Sequence, residues 1–177
     1  MTRKKLKILG IVLAFLLCFP LHFVYDKFPS FITSIFAPIN ESIWEHMKIL
    51  FGSIIMSGII QKIIVLKKKL DFNNICFSNF IGAISSIPIF LIIFLPIYII
   101  IGENFPITIF IMFITIVLAE IIAYKIMNRD NLGFENITII LVIIVYVIFT
   151  ILSYYPINSG IFIDPISKTC GISKEKL

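Results

Sequence analysis

Ile139-Ile140-Leu141-Val142-Ile143-Ile144-Val145 is an unbroken apolar run with no polar residue at any second position. A membrane-crossing β-strand alternates lipid-facing and lumen-facing residues, so a run of this kind spans as a helix and not as part of a barrel. The rest of the chain extends the pattern. Hydrophobic residues make up 59% of 177 residues and charged residues 14%, and the mean hydropathy is +1.07. That composition lies outside the soluble globular class. A bilayer core of roughly 30 Å takes about 20 apolar residues per helix, and five runs of suitable length are separated by charge or turn signals. They cover residues 8–25, 44–66, 77–101, 107–127 and 137–155, leaving a tail at 156–177. The expected fold is a single all-α polytopic membrane domain over residues 1–177.

Between the first two runs, Phe28, Phe31, Ile32, Ile35 and Phe36 recur at helical spacing, with Ser30, Thr33 and Ser34 on the other side. This predicts a short interfacial helix, with Pro29 in its first turn, Pro38 at its end and its rings in the acyl chains. In the third run, Gly82, Ser85 and Ser86 permit close helix approach, and Pro88 and Pro96 each remove a backbone donor.

Lys and Arg near span ends are retained on the cytoplasmic side. One side collects Arg3, Lys4, Lys5, Lys7, Lys62, Lys67, Lys68, Lys69, Lys125 and Arg129; the other has Lys27, Lys48, Lys168, Lys174 and Lys176. Ten against five puts the N-terminus inside and the tail outside. The net charge of +5 is then an orientation signal with some attraction for anionic lipid, and no basic patch with interleaved aromatics points to nucleic acid. The first run has a basic start but no small-residue cleavage pattern at Cys18-Phe19-Pro20-Leu21-His22, so it is read as a span. Cys18, Cys76 and Cys170 fall in different compartments and suggest no disulfide or zinc knuckle.

Polar chemistry concentrates at Asn40-Glu41-Ser42-Ile43-Trp44-Glu45-His46-Met47-Lys48, which holds the only tryptophan. Asn40, or Ser42 with Glu45 three positions later, can cap the second span, and Trp44 sits where an interfacial aromatic is expected. Glu41 and Glu45 are four apart, and two stacked carboxylates repel unless a proton, cation or metal lies between them. His22 and Asp26 are also four apart, on the outer end of the first span. Together these supply the ligand types for zinc or another divalent ion: His22, Asp26 and His46 as ligands, with Glu41 and Glu45 as catalytic acids. His46 is rotated about 100° from Glu45, so three or four of the five can meet one ion. The apolar Ile161-Phe162-Ile163 is expected to dock back and bring Asp164 to this cluster, beside Asn40, Trp44 and Lys48. A purely structural clamp accounts for the same residues: the helix dipole favours the acids, and Lys48 can pair with either.

Glu120 lies inside the fourth run, where an acid must face protein. Its depth matches Lys62, the expected partner; a protonatable relay is the alternative. No Walker loop, dinucleotide fingerprint, serine elbow or HExxH is present.

The string His22-Phe-Val-Tyr-Asp26, then Phe36-Ala-Pro38-Ile-Asn40-Glu41-Ser42-Ile-Trp44-Glu45-His46-Met-Lys48, and Ile161-Phe-Ile-Asp164-Pro165 with Gly171-Ile172, resembles a family of small bacterial multi-pass membrane proteins known only as a domain of unknown function. The resemblance covers essentially the whole chain. It departs in the tail, where Ser167-Lys168 and Cys170 stand in place of an expected Thr-Gly and Tyr. It implies an integral protein of the bacterial cytoplasmic membrane and no particular activity. A weaker similarity, in logic only, is to the seven-helix alkaline ceramidase and adiponectin-receptor group, whose intramembrane zinc hydrolyses lipid amides; this chain has two histidines and five spans. Three classes of function follow: metal-assisted hydrolysis or transfer on a lipid-like substrate, transport or ion binding with Glu120 as inner relay, or a structural subunit whose polar cluster meets a protein partner or a second copy.

Overall fold

The computed structural model describes residues 1–172; Lys174, Lys176 and the end expected to fray from Ser173 lie outside the described residues. Six α-helices follow in order: α1 (Arg3–Lys27), α2 (Phe31–Phe36), α3 (Ile43–Lys67), α4 (Ile75–Ile101), α5 (Phe105–Met127) and α6 (Glu135–Tyr154), with a 3₁₀ turn at Gly160–Phe162. Five are long and apolar enough to cross a membrane. Each begins ahead of its apolar stretch, and polar caps extend the starts of α1, α3 and α5. Thr2 Oγ1 accepts from the Lys5 N–H, and Asn104 Oδ1 accepts from the Ile107 N–H. Among the described residues β-structure is limited to one antiparallel bridge, between Ile163 and Cys170.

In lipid, apolar helices gain little by leaving one hydrocarbon environment for another, so association rests on packing and on polar contacts. The packing centre is α3, where Met47, Ile49, Leu50, Phe51 and Ile54 are fully buried. Helices α1, α4 and α5 pack around it. The α4–α5 contact is close at Gly82: a Cβ there would lie 3.1 Å from the Ala119 carbonyl oxygen and the Ala123 methyl. Helix α6 is peripheral, burying only Thr138, Phe149 and Ser153. Its isoleucines and valines join an apolar belt around the bundle, the surface a bilayer would cover.

The short helix between the first two spans forms as expected but starts at Phe31, so Pro29 lies ahead of its first turn. Ser30, not Pro29, is at its entrance, in a capping box with Thr33. Phe28, Phe31, Ile32 and Phe36 are exposed, while Ser34 is buried, its hydroxyl 3.0 Å from the Tyr154 hydroxyl on α6.

At the opposite end of the bundle, Asn74 adopts a left-handed backbone, φ +57°. It is 1% exposed. Its amide donates to the Arg129 and Asp130 carbonyls at 3.1 and 2.9 Å, and its Oδ1 accepts from Leu132 N–H at 2.9 Å. One side chain thus ties the start of α4 to the α5–α6 connection. Asn74→Ala is therefore expected to lose roughly 2–3 kcal/mol of stability, from buried groups left unpaired and a conformation alanine disfavours. Asn128→Ala, which removes an exposed bond within one helix end, should leave the unfolding midpoint in detergent unchanged. Equal midpoints for the two variants would refute this role for Asn74.

Candidate functional site

The entrance to α3 determines how the dense polar stretch divides. Ser42 is the cap, its hydroxyl accepting from Glu45 N–H at 3.4 Å, and the helix begins at Ile43. Glu41 therefore lies outside the helix. The expected stacking of Glu41 on Glu45 does not occur, because the i,i+4 relation holds only where both residues are helical. The capping box is also incomplete: Asn40 Oδ1, not Glu45, accepts from Ser42 N–H, at 3.0 Å.

Glu45 turns inward. It is 1% exposed and pairs with Lys48, 0% exposed, at 2.5 Å. Its second oxygen accepts from Ser153 Oγ on α6, and it also accepts from Ile39 N–H at 3.2 Å. Lys48 Nζ donates to the Ser34 carbonyl at 2.9 Å and to Ser153 Oγ at 3.3 Å. Nearly every polar valence of the pair is filled from three other segments, α2, the connection and α6.

Glu41 turns the other way, toward the histidines. Its Oε2 lies 3.2 Å from His22 Nε2 and 3.8 Å from His46 Nε2. One ligand atom from each of the three residues falls within 4.8 Å of the others. His46 Nδ1 is 3.0 Å from the Ser42 carbonyl, which can only accept. Nδ1 therefore donates there, and Nε2 is the ring nitrogen directed at the cluster. Contacts of this kind orient imidazoles in known metal sites. His22 hydrogen-bonds the Glu41 carboxylate, and that bond is the main reason the carboxyl is held below its ordinary range, outweighing partial burial.

The tail closes over this cluster. Phe162 is buried against Trp44, ring centroids 4.9 Å apart, and Trp44 also meets Phe149 on α6. Asp164 is buried too. Burial pushes its carboxyl up, but the Ile166 N–H, the Ser167 N–H and hydroxyl and the Glu41 N–H together hold it below the usual range. Asn40 donates to the Gly171 carbonyl at 2.9 Å. Gly171 has φ +71°, and a Cβ there would lie 2.9 Å from the Ser153 carbonyl oxygen, so only glycine fits. Between tail, α1 and the 38–41 segment lies a cavity of about 520 Å³ lined by His22, Asp26, Glu41 and Asp164.

The expected site residues thus separate. His22, Glu41 and His46 come together; Asp26 lines their cavity but is not one of the three. Asp164 and Asn40 hold the frame, Trp44 seats the tail, and Glu45 with Lys48 forms a distinct buried pair. Glu120 is placed elsewhere, and its partner differs from the expected one: Lys7 Nζ lies 3.1 Å away, while Lys62 pairs with Glu135 at 3.3 Å. Gln61 donates to Glu120 at 3.3 Å, so Lys62, the next residue and about 100° around the helix, faces another way. Lys7 and Asn79, whose Oδ1 accepts from Lys7 Nζ at 2.6 Å, were not anticipated as site residues. Lys7 reads as one more charge of the basic start.

A helical bundle of five membrane-type spans with a polar His/Glu cluster at one end defines a polytopic membrane protein. The chain belongs to a family of unknown function, DUF6512, whose model matches residues 1–172. No curated protein and no solved structure matches it.

Two outcomes follow from this division of labour. Removing one member of a buried ion pair leaves the other charge unpaired, at roughly 3–5 kcal/mol. Glu45→Leu and Lys48→Met should each sharply lower the unfolding midpoint in detergent, and the double variant should recover much of the loss. A double variant as unstable as the sum of the singles would contradict the pairing. For Glu41, whose folded carboxyl titrates below its ordinary 4.5, the stabilisation is present above that value and lost as pH falls through the folded pKa. The stability difference between wild type and Glu41→Gln should shrink on acidification below about pH 4.5; a difference that grows there would reverse the assignment.

Proposed function

We propose that this protein is a membrane-embedded metal-dependent enzyme that hydrolyses or transfers the acyl group of a lipid-like substrate. The His22–Glu41–His46 group carries the reading. Zinc binds imidazole at about 2.0–2.1 Å, which spaces tetrahedral ligands roughly 3.3 Å apart, and small side-chain adjustments bring these three to that spacing. A catalytic zinc keeps three protein ligands and a water in the fourth position, and the cavity of about 520 Å³ gives that position room. Zinc held there would supply an activated water for attack on the acyl carbonyl, and Asp26, on the cavity wall, would take up the proton that this water loses and return it to the departing head group.

The orientation follows from surface charge. Lys7 and Lys48 are buried in ion pairs, which removes one basic residue from each side and keeps the bias. The N-terminus is then cytoplasmic and the metal centre faces outward. An ion path through Glu120 has less support, since Lys7 already neutralises that carboxylate. No observation favours a partner-binding role over the metal reading.

Detergent-purified protein should hold about one zinc per chain. His22→Ala, His46→Ala and Glu41→Ala should each reduce it by tenfold or more, while Asp26→Asn retains it. Metal should also be released on acidification, since both imidazoles must be deprotonated to bind. Folded wild-type protein with only background metal after zinc reconstitution would end the proposal.

A further inference from the structure

The candidate centre opens in two directions. On one side is the polar cavity; on the other, His22 forms the inner wall of an apolar slot between α1 and α5, bounded by Phe15, Phe19, Phe105 and Met112. A second small space, lined by His22, Glu41 and His46, shares Phe105, Ile109 and Met112 with the slot as common walls. Phe19, Phe23 and Phe105 are 40%, 53% and 71% exposed, so the slot is open along its outer edge. Phe15 closes its deep end, edge to face with Phe113 at 5.2 Å. From His22 down to Phe15 is seven residues of helix, about 10 Å.

Depth determines what fills such a slot. It lies along a membrane-type span, below the level of the 38–41 segment, where the surrounding medium is hydrocarbon and the available occupant is an alkyl chain. The polar cavity above complements the other end of an amphiphile. Among the described residues its charged lining, His22 apart, consists of the carboxylates Asp26, Glu41 and Asp164. That field disfavours a phosphate and tolerates a hydroxyl or an amine.

We propose that the α1–α5 slot holds one acyl chain of a bilayer amphiphile whose phosphate-free head occupies the polar cavity, and that the molecule enters sideways from the membrane. The bond between chain and head then lies beside His22, Glu41 and His46. The inference rests on the metal reading only for that last statement; occupancy of the slot does not need metal.

The test uses the full chain in phosphatidylcholine nanodiscs and a photoreactive fatty-acyl probe with a diazirine in its chain and a hydroxyl-bearing amide head. Cross-linked residues are mapped by mass spectrometry. Labelling should concentrate on α1 and α5 around Phe15, Phe19 and Phe105. It should fall at least fivefold in Ile109→Trp, which fills the slot, and stay unchanged in Ile140→Trp on the lipid-facing side of α6. A competitor with the same chain and a hydroxyl head should displace the probe at least fivefold better than one with a phosphate head. Labelling spread around the bundle according to exposure, or insensitive to Ile109→Trp, would overturn the slot. Equal or better competition by the phosphate head would overturn the head assignment. Zinc content measured on the same variants keeps the two readings apart: specific labelling without zinc sinks the metal centre alone, and zinc with diffuse labelling sinks the slot alone.

Discussion

The ion pair of Glu45 and Lys48 is the constraint around which one end of the bundle is built. Both side chains are essentially sealed from solvent, and two bare charges there would each carry a penalty of several kcal/mol. The structure meets it by drawing in Ser34 from α2, Ile39 from the connection and Ser153 from α6. Those bonds set where α2 lies, how the chain enters α3, and how α6 leans on the otherwise continuous α1–α3–α4–α5 assembly. Because the pair occupies the inward side of the α3 entrance, the residues next to it in sequence are turned outward. His46, about 100° from Glu45, and Glu41, before the cap, meet His22 as a result.

The tail completes the geometry from a distance. Asp164 would be an unfavourable neighbour for Glu41 if it were only a second carboxylate, but its charge is taken up by the backbone N–H groups of Ile166 and Ser167. It then holds the Glu41 main chain while leaving the Glu41 side chain to the histidines. Trp44 does the corresponding work on the apolar side, wedged between Phe149 and Phe162. Gly171 lets the last described turn sit against Ser153 and Pro156, so the tail rests on the same serine that serves the ion pair.

The spans were legible because a bilayer imposes length and apolarity directly on sequence, and Ile139 to Val145 leaves no other secondary structure open. The docking of Phe162 and Asp164 was legible for a similar reason: an apolar segment after a span must find cover. Pairing was less so. Glu120 was matched to Lys62 by depth alone, and depth does not fix azimuth. Glu41 and Glu45 were matched by a four-residue spacing that requires a helix already formed at Glu41, whereas the Ser42 cap delays it. The buried role of Lys7 is hidden by its neighbours Lys4 and Lys5, which make the same letter look like an end-of-span charge. The α1–α5 slot has no sequence signature, since its phenylalanines are indistinguishable from any lipid-facing ring.

Among the polar constellations of the described residues, three differ in their balance. Lys7 with Glu120 and Lys48 with Glu45 are each one cation and one anion, 0–4% exposed at the side chains, with amide or hydroxyl groups filling in around them. The first joins α1 to α5, and the second, within α3, draws in α2 and α6 through Ser34 and Ser153, the kind of polar contact by which membrane helices fix their registry. The third differs on every count. Two imidazoles share one carboxylate, all three side chains keep 14–30% exposure, and the nearest space is an open cavity in place of a closed interface. One imidazole has its Nδ1 taken by the Ser42 carbonyl, which leaves its Nε2 facing Glu41 and His22. That asymmetry, two imidazoles on one carboxylate beside open space, is what supports the proposed reading of His22, Glu41 and His46 as a cation site and of the other two as architecture.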